Sequence, residues 1–153
     1  MLVDGGGFVG IHGSAGDFVC PWDWYADTLI GARFAGHPLP PHQFQPGRVC
    51  VEGGHPVTDG LGEAWTMTEE WYSFDRSPRD TGAVVLATLD ETSYEAVGSP
   101  GSTLTMGDHP LAWLRPVGQG RSFYTAIGHR PESYVHPSAM RLLEQGIAWA
   151  LKP

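Results

Sequence analysis

The stretch GGGFVGIHGSAG, residues 5–16, decides the fold class. Phe8 to His12 form a short apolar run between glycines, which is typical of a buried strand. The small residues that follow predict a tight turn with His12 at its tip. A strand that runs directly into such a turn indicates an α/β protein, in which ligands bind outside the carboxyl ends of the strands. His12 and Ser14 are therefore candidate functional residues.

Further strands and two helices are predicted along the chain. RVCVE (48–52) and GAVVLATLDE predict strands, and residues 65–74 are expected to be extended. LAWLRP and RSFYTAIG flank the turn VGQG and predict a hairpin. CPWDWYADTLIG predicts a helix that starts at Pro21 and ends at Gly31. A second helix is predicted in HPSAMRLLEQGIAWALK, with one apolar face made of Met140, Leu143, Ile147 and Leu151.

The hairpin brings histidines together. If its two strands pair, His109 and His129 lie near the same end of the sheet. If the second strand also runs parallel to the Phe8–His12 strand, His12 joins them. We therefore expect one pocket rim that holds all three, with Glu70 or Glu132 nearby.

The composition limits the class of protein. The 153 residues fit a single domain, 1–153, with a net charge of −8 that disfavours a nucleic-acid partner. The two cysteines, Cys20 and Cys50, have no metal-type spacing and favour a reduced, cytoplasmic location. No apolar run approaches the roughly 18 residues of a membrane span, so no membrane partner is expected. A removed signal peptide would leave no trace in this sequence.

Several motifs in order carry a family resemblance: GGGFVGIHGSA, WYADTLIGARFAGHP, HPVTDGL, EEWYSF, HPLAW and GQGRSFYTAIGH. Together they resemble the ThuA-like domain of the trehalose utilization family, within the class I glutamine amidotransferase-like superfamily. The resemblance covers Gly5 to about Leu151. It implies a flavodoxin-like, three-layer α/β sandwich with a mostly parallel sheet, and a role in sugar utilization. Because the glycine-rich strand lies mid-domain in that family, we expect this chain to lack the N-terminal half of the usual fold.

The resemblance also suggests roles for the candidate catalytic residues. His129 is similar to the strand-end histidine of the superfamily and is suited to general acid–base catalysis, with Glu132 placed to orient it. His12 stands where the amidotransferase relatives carry a nucleophilic cysteine, which excludes thiolate chemistry at that place. Ser14 is an alternative nucleophile, although the nucleophile elbow G-x-S-x-G requires a small residue at position 12. A turn or helix-cap hydroxyl is the other interpretation of Ser14.

The remaining candidates would contact substrate or metal. Glu70, in an acidic pair with Glu69, would accept sugar hydroxyls or act as a base; the alternative is a solvated charge pair. Substrate-binding candidates are His109, His37, Trp24 and Tyr72, since aromatic faces pack on sugar rings; core packing is the alternative for the aromatic residues. No cofactor is evident. A divalent metal held by histidines is an alternative that no local ligand spacing supports.

The leading hypothesis is an enzyme of trehalose or keto-sugar utilization that uses histidine/carboxylate acid–base chemistry. The alternatives are an ester or amide hydrolase, with Ser14 as nucleophile and His129 as base, and a non-catalytic module that binds a sugar or a partner. A homodimer is also expected. Apolar strands without neighbours would leave a sheet edge open to water, unless the loops at 36–47 and 53–65 cover it.

Overall fold

The structure, a computed structural model, describes residues 2–100 and 102–152, except for the side chain of Val3. Within these residues, eight strands form two sheets. The main sheet has six strands in the order β1-β8-β7-β6-β3-β4, and β2 pairs with β5 in a separate two-stranded sheet. The strands are β1 Gly7–Ile11, β2 Phe34–Gly36, β3 Gln45–Val51, β4 Ala64–Glu69, β5 Ser73–Phe74, β6 Val84–Asp90, β7 Pro110–Val117 and β8 Gly120–Thr125.

The main sheet is mixed, and the expectation of a mostly parallel sheet is wrong. Only the β1–β8 pair is parallel among the described residues, with Gly7 opposite Arg121 and Ile11 opposite Thr125. The other four neighbouring pairs are antiparallel. A parallel connection needs a crossover of a dozen or more residues, usually with a helix. The link between β7 and β8 is instead the two-residue turn of the predicted hairpin, which is confirmed.

Helix α1, Pro137–Ala150, packs against β8 and β1. Its buried face is Ala139, Leu142, Gly146 and Ala150, which is one position away from the predicted face. Leu151, a member of the predicted face, is 72% exposed. Small residues decide the orientation, because a Cβ at Gly146 would lie 2.3 Å from the Phe123 ring. The helix therefore turns Leu142 and three small residues toward the sheet, and Leu151 stays in solvent.

The other predicted helix is a π-helix, Trp24–Ile30, so its start at Pro21 is wrong by three residues. Its predicted end is confirmed: Gly31 has a φ of +99° and donates its N–H to the Ala26 carbonyl. A Cβ there would lie 2.0 Å from the Arg115 guanidinium, so both backbone and space require glycine. No helix in the described part of the chain is long and apolar enough to cross a membrane.

The extended stretch predicted at 65–74 is interrupted. β4 ends at Glu69 and β5 begins at Ser73, in the other sheet. Residues 70–72 pass between the two sheets and are buried. This break sets the position of Glu70 and Tyr72 in the site described below.

Candidate functional site

His12 is the first residue after β1 and opens a short 3₁₀ turn, His12–Ala15. Its φ of +41° is unusual for a residue with a side chain. The imidazole is buried, and its ring centroid lies 4.0 Å from that of Tyr72. Nδ1 lies 2.8 Å from the Ala126 carbonyl oxygen, just beyond β8. Because a carbonyl only accepts, Nδ1 carries a proton and Nε2 points toward the other site residues.

Glu70 is buried and faces His12. Its Oε2 lies 3.0 Å from His12 Nε2, and its Oε1 accepts a hydrogen bond from Gln43 Nε2 at 2.6 Å. His37 Nδ1 is 3.6 Å from Oε1. Burial raises the pKa of the Glu70 carboxyl. Its polar neighbours lower the pKa by more than burial raises it, so the pKa lies below its usual value. These neighbours are Gln43, His37, His12 and His129. Glu70 is therefore an ionised carboxylate inside the protein.

His129 completes the cluster from the loop after β8. Its Nδ1 lies 3.2 Å from Glu70 Oε2 and 3.1 Å from His12 Nε2. Unlike its two neighbours, the His129 side chain is 41% exposed. The parallel β1–β8 pairing brings His12 and His129 to one end of the sheet, as predicted from the hairpin. The cluster thus has a buried floor and one face that is open to ligands.

The three facing atoms form a nearly equilateral triangle that could hold a metal ion. The three pairs of atoms cannot all form hydrogen bonds at the same time. If both histidine nitrogens donate to the carboxylate, two N–H groups face each other; if only one donates, a lone pair faces another lone pair. A cation bound at about 2.1 Å to each atom would make angles of about 95° between ligands, near those on one face of an octahedron.

Glu69 connects the two segments that carry the cluster. This side chain is fully buried, with 0% exposure. Its Oε1 accepts the Glu70 N–H, at 2.9 Å. Its Oε2 accepts the Gly128 N–H, at 2.9 Å, and a short hydrogen bond from the Ser133 hydroxyl. One carboxylate therefore fixes the backbone of Glu70 and the loop that carries His129.

Two other predicted residues are held elsewhere. His109 is buried behind Tyr72, where it donates from Nε2 to the Tyr72 carbonyl at 2.9 Å and contacts Glu91 through Nδ1 at 2.8 Å. The structure therefore does not bring it to the rim, because both ring nitrogens are used inside the protein. Glu132 is exposed and pairs with Arg130 at 3.1 Å. The carboxylate that contacts His129 is Glu70 and not Glu132.

The remaining predicted residues lie near the cluster or apart from it. Tyr72 packs on His12, and burial together with Glu70 and Glu69 raises the pKa of its phenol to about 12. His37 stacks on Tyr72 and donates to the Pro38 carbonyl. The Trp24 ring stacks on Trp22, 5.5 Å away. The Ser14 hydroxyl is buried and has no hydrogen-bond partner in the described part of the chain.

Sequence reasoning missed Gln43 and Phe44, and it weighed Glu69 only as part of an acidic pair. Gln43 and Phe44 lie in a proline-rich loop, where no spacing rule places a side chain. They reach the site because the loop returns over the carboxyl end of β1. Phe44 lies 5.0 Å from His129 between ring centroids. The available signal was HQFQ, residues 42–45, in which two glutamines flank an aromatic residue. This pattern is too common to predict a site.

The fold and the cluster define an α/β protein with a histidine–carboxylate site at the carboxyl ends of two parallel strands. The family model of ThuA, described as trehalose utilisation, matches residues 1–150. The chain belongs to this family. The resemblance noted in the sequence is thereby confirmed.

A solved structure supports the fold. A ThuA-like protein from Parabacteroides merdae ATCC 43184 superimposes with a TM-score of 0.65 at 19% sequence identity. The match covers 97% of this chain and 61% of that one, so this chain spans about three-fifths of the length of its structural neighbour. At this identity the likeness shows the fold alone. No curated protein matches the chain.

Proposed function

We propose that this chain is an enzyme of carbohydrate utilization that transfers a proton on a sugar substrate at the His12–Glu70–His129 cluster. The observation that carries the proposal is the contact between the exposed His129 and the buried, ionised Glu70, at 3.2 Å. A buried carboxylate that holds one nitrogen of an accessible imidazole is the usual support of a general base. Membership of the trehalose utilisation family supports a sugar as the substrate.

Each residue has a distinct task in this mechanism. Glu70 accepts the His129 Nδ1–H, which fixes the tautomer and leaves Nε2 free to take a proton from a substrate hydroxyl or carbon. The positive charge that forms on His129 is stabilised by the Glu70 carboxylate. Gln43 donates to the other carboxylate oxygen, Oε1, and holds that carboxylate in place. Tyr72 closes the floor of the site under His12.

A divalent cation at the same cluster is a second candidate, favoured by the triangle of facing atoms. Two imidazoles and one carboxylate are a common ligand set for zinc or iron, with positions left open for substrate. The Ala126 carbonyl fixes the His12 tautomer so that Nε2 faces the centre, as in many metal sites. A bound cation would polarise a sugar oxygen or acidify a water molecule. In the first candidate His129 is the general base. In the second it is a ligand of the cation.

Turnover of a sugar panel that includes trehalose and keto-sugars tests the proposal. His129→Asn and Glu70→Gln should each lower kcat by about 10²-fold or more, the usual contribution of a general base. His55→Asn is the matched control, because His55 lies beside Trp149 and caps a separate short helix. Unchanged turnover in both site variants would refute the proposal.

Metal dependence separates the two candidates. The general-base mechanism expects full activity after treatment with a chelator, whereas the cation mechanism expects loss of activity and recovery with zinc or another divalent ion. Titration of the metal-free, chelator-treated protein with Zn²⁺ should show one tight binding site, which His12→Ala abolishes. Binding that is equal in the wild type and in His12→Ala would exclude this cluster as the metal site.

The hydrolase alternative receives no support from Ser14. Its buried hydroxyl contacts neither His129 nor another base among the described residues. A serine-directed phosphonate that labels Ser14 would revive this alternative. A protein that binds sugars without any turnover would favour the non-catalytic module.

A further inference from the structure

Phe44 is an exposed aromatic residue at the open face of the cluster. Its side chain is 41% exposed, although its ring centroid lies only 5.0 Å from that of His129. The Arg130 guanidinium carbon lies 5.8 Å from the same ring centroid, and Arg130 is in turn paired with Glu132. The phenyl ring is thus held beside the base from two directions and still faces solvent.

The backbone on both sides of Phe44 is anchored. Gln43 donates to the buried Glu70 carboxylate at 2.6 Å. Gln45 accepts the Glu95 N–H at 2.7 Å, donates to two carbonyls, and accepts the Trp71 indole N–H on its own carbonyl at 3.0 Å. A loop fixed at both neighbours of an exposed apolar side chain presents that side chain rather than leaving it mobile.

Phe44 is also one end of a series of rings that passes through the site. Neighbouring rings are 4.0–5.0 Å apart between centroids. The two terminal phenyl rings are exposed, and the inner members include both histidines of the cluster. In order, the rings are Phe18, Phe34, Tyr72, His12, His129 and Phe44.

We infer that Phe44 is the platform on which the apolar face of a pyranose ring stacks, so that a ring hydroxyl or an adjacent C–H faces His129. A sugar ring has an apolar face and a polar edge, and this surface offers the same pair: a phenyl ring beside His129, Glu70 and Arg130. A wholly apolar ligand would cover these polar groups without hydrogen bonds, which is unfavourable. This inference rests on the proposed function, since it names the residue that positions the sugar.

The test compares Phe44→Ala and Phe44→Trp with wild type, using titration calorimetry with trehalose and with glucose, followed by steady-state kinetics. Phe44→Ala should weaken sugar binding and raise KM by roughly fivefold to tenfold, while kcat changes less than twofold. Phe44→Trp should keep or strengthen binding, since indole offers a larger face. Leu151→Ala is the control: this exposed apolar residue lies just after α1, beyond the opposite end of β1. Circular dichroism confirms that each variant is folded.

The outcomes separate this inference from the proposed function. If His129→Asn abolishes turnover but Phe44→Ala binds sugar as tightly as wild type, the platform is refuted and the proposed function stands. If sugar binding depends on Phe44 but no turnover depends on His129, the platform stands and the proposed function fails. If neither sugar binds to the wild-type protein, the platform is refuted.

Discussion

Removal of the Glu69 carboxylate should destabilise the whole protein. Glu69 is fully buried and accepts three hydrogen bonds, from the N–H groups of Glu70 and Gly128 and from the Ser133 hydroxyl. Glu69→Ala leaves two buried donors, the Glu70 N–H and the Ser133 hydroxyl, without this partner, at about 1–3 kcal/mol each. Relief of the cost of burying the charge offsets part of this loss. We expect a net loss of about 3 kcal/mol in the free energy of unfolding.

Urea unfolding at pH 7, followed by tryptophan fluorescence, measures the effect. Glu69→Ala should also lower Tm by about 6–12 °C, as expected for a chain of this length. Glu69→Gln keeps the volume and one acceptor oxygen but turns an amide toward donors, so its loss should be smaller, about 1–2 kcal/mol. Glu144→Gln, at an exposed position of α1, is the control and should change stability by less than about 0.5 kcal/mol.

One result would refute this account of Glu69. If Glu69→Ala unfolds at the same urea concentration as Glu144→Gln, the three hydrogen bonds do not hold the His129 loop. If stability falls in the expected order, kcat should fall with it, because His129 loses its fixed position relative to Glu70.

Three further predictions concern other parts of the molecule. The pKa of Glu70 lies below its ordinary value of 4.5, so its ionisation stabilises the fold above about pH 4.5, and this contribution is lost as the pH falls further. In urea titrations the stability difference between wild type and Glu70→Gln should therefore shrink from pH 7 to pH 3. A difference that stays constant over this range would contradict the prediction. Gly31→Ala should cost about 1–3 kcal/mol, because of the φ of +99° and the contact with Arg115, whereas Gly53→Ala, where a Cβ meets nothing within 4 Å, should be nearly neutral in the same assay. We also propose a homodimer that covers the outer edge of β1, an end strand of the main sheet; light scattering at micromolar concentration should give twice the monomer mass, and a uniform 16.6 kDa species would refute it.

Local patterns predicted the elements that depend on local chemistry. The β7–β8 hairpin follows from its glycine turn, and the end of the π-helix from Gly31. The start of α1 follows from Pro137, with the His136 side chain accepting the Ala139 N–H. From the hairpin and one parallel pair, the meeting of His12 and His129 could be inferred. These features each depend on a few neighbouring residues.

The features that were predicted wrongly, or not predicted at all, depend on contacts between segments that are distant in the sequence. Apolar strands such as β6 occur in parallel and antiparallel sheets alike, so the sequence of a strand does not reveal its direction. The buried face of α1 was offset because Gly146 admits the Phe123 ring, a constraint that periodicity does not contain. Glu69 and Gln43 support the site across separations of 59 and 27 residues, with no local motif.

The bond from Gly128 to Glu69 has a consequence for how motion in the site can be observed. An amide hydrogen that is bound to a fully buried carboxylate exchanges with solvent only when that contact opens. The exchange rate of the Gly128 amide in D₂O therefore gives the free energy of local opening of the His129 loop. A rate as slow as that of the central β7 amides would mean that the loop opens only when the whole domain unfolds. A faster rate would mean that the His129 loop opens while the rest of the domain stays folded. If a sugar binds at this site as proposed, the exchange should then slow as the bound fraction rises.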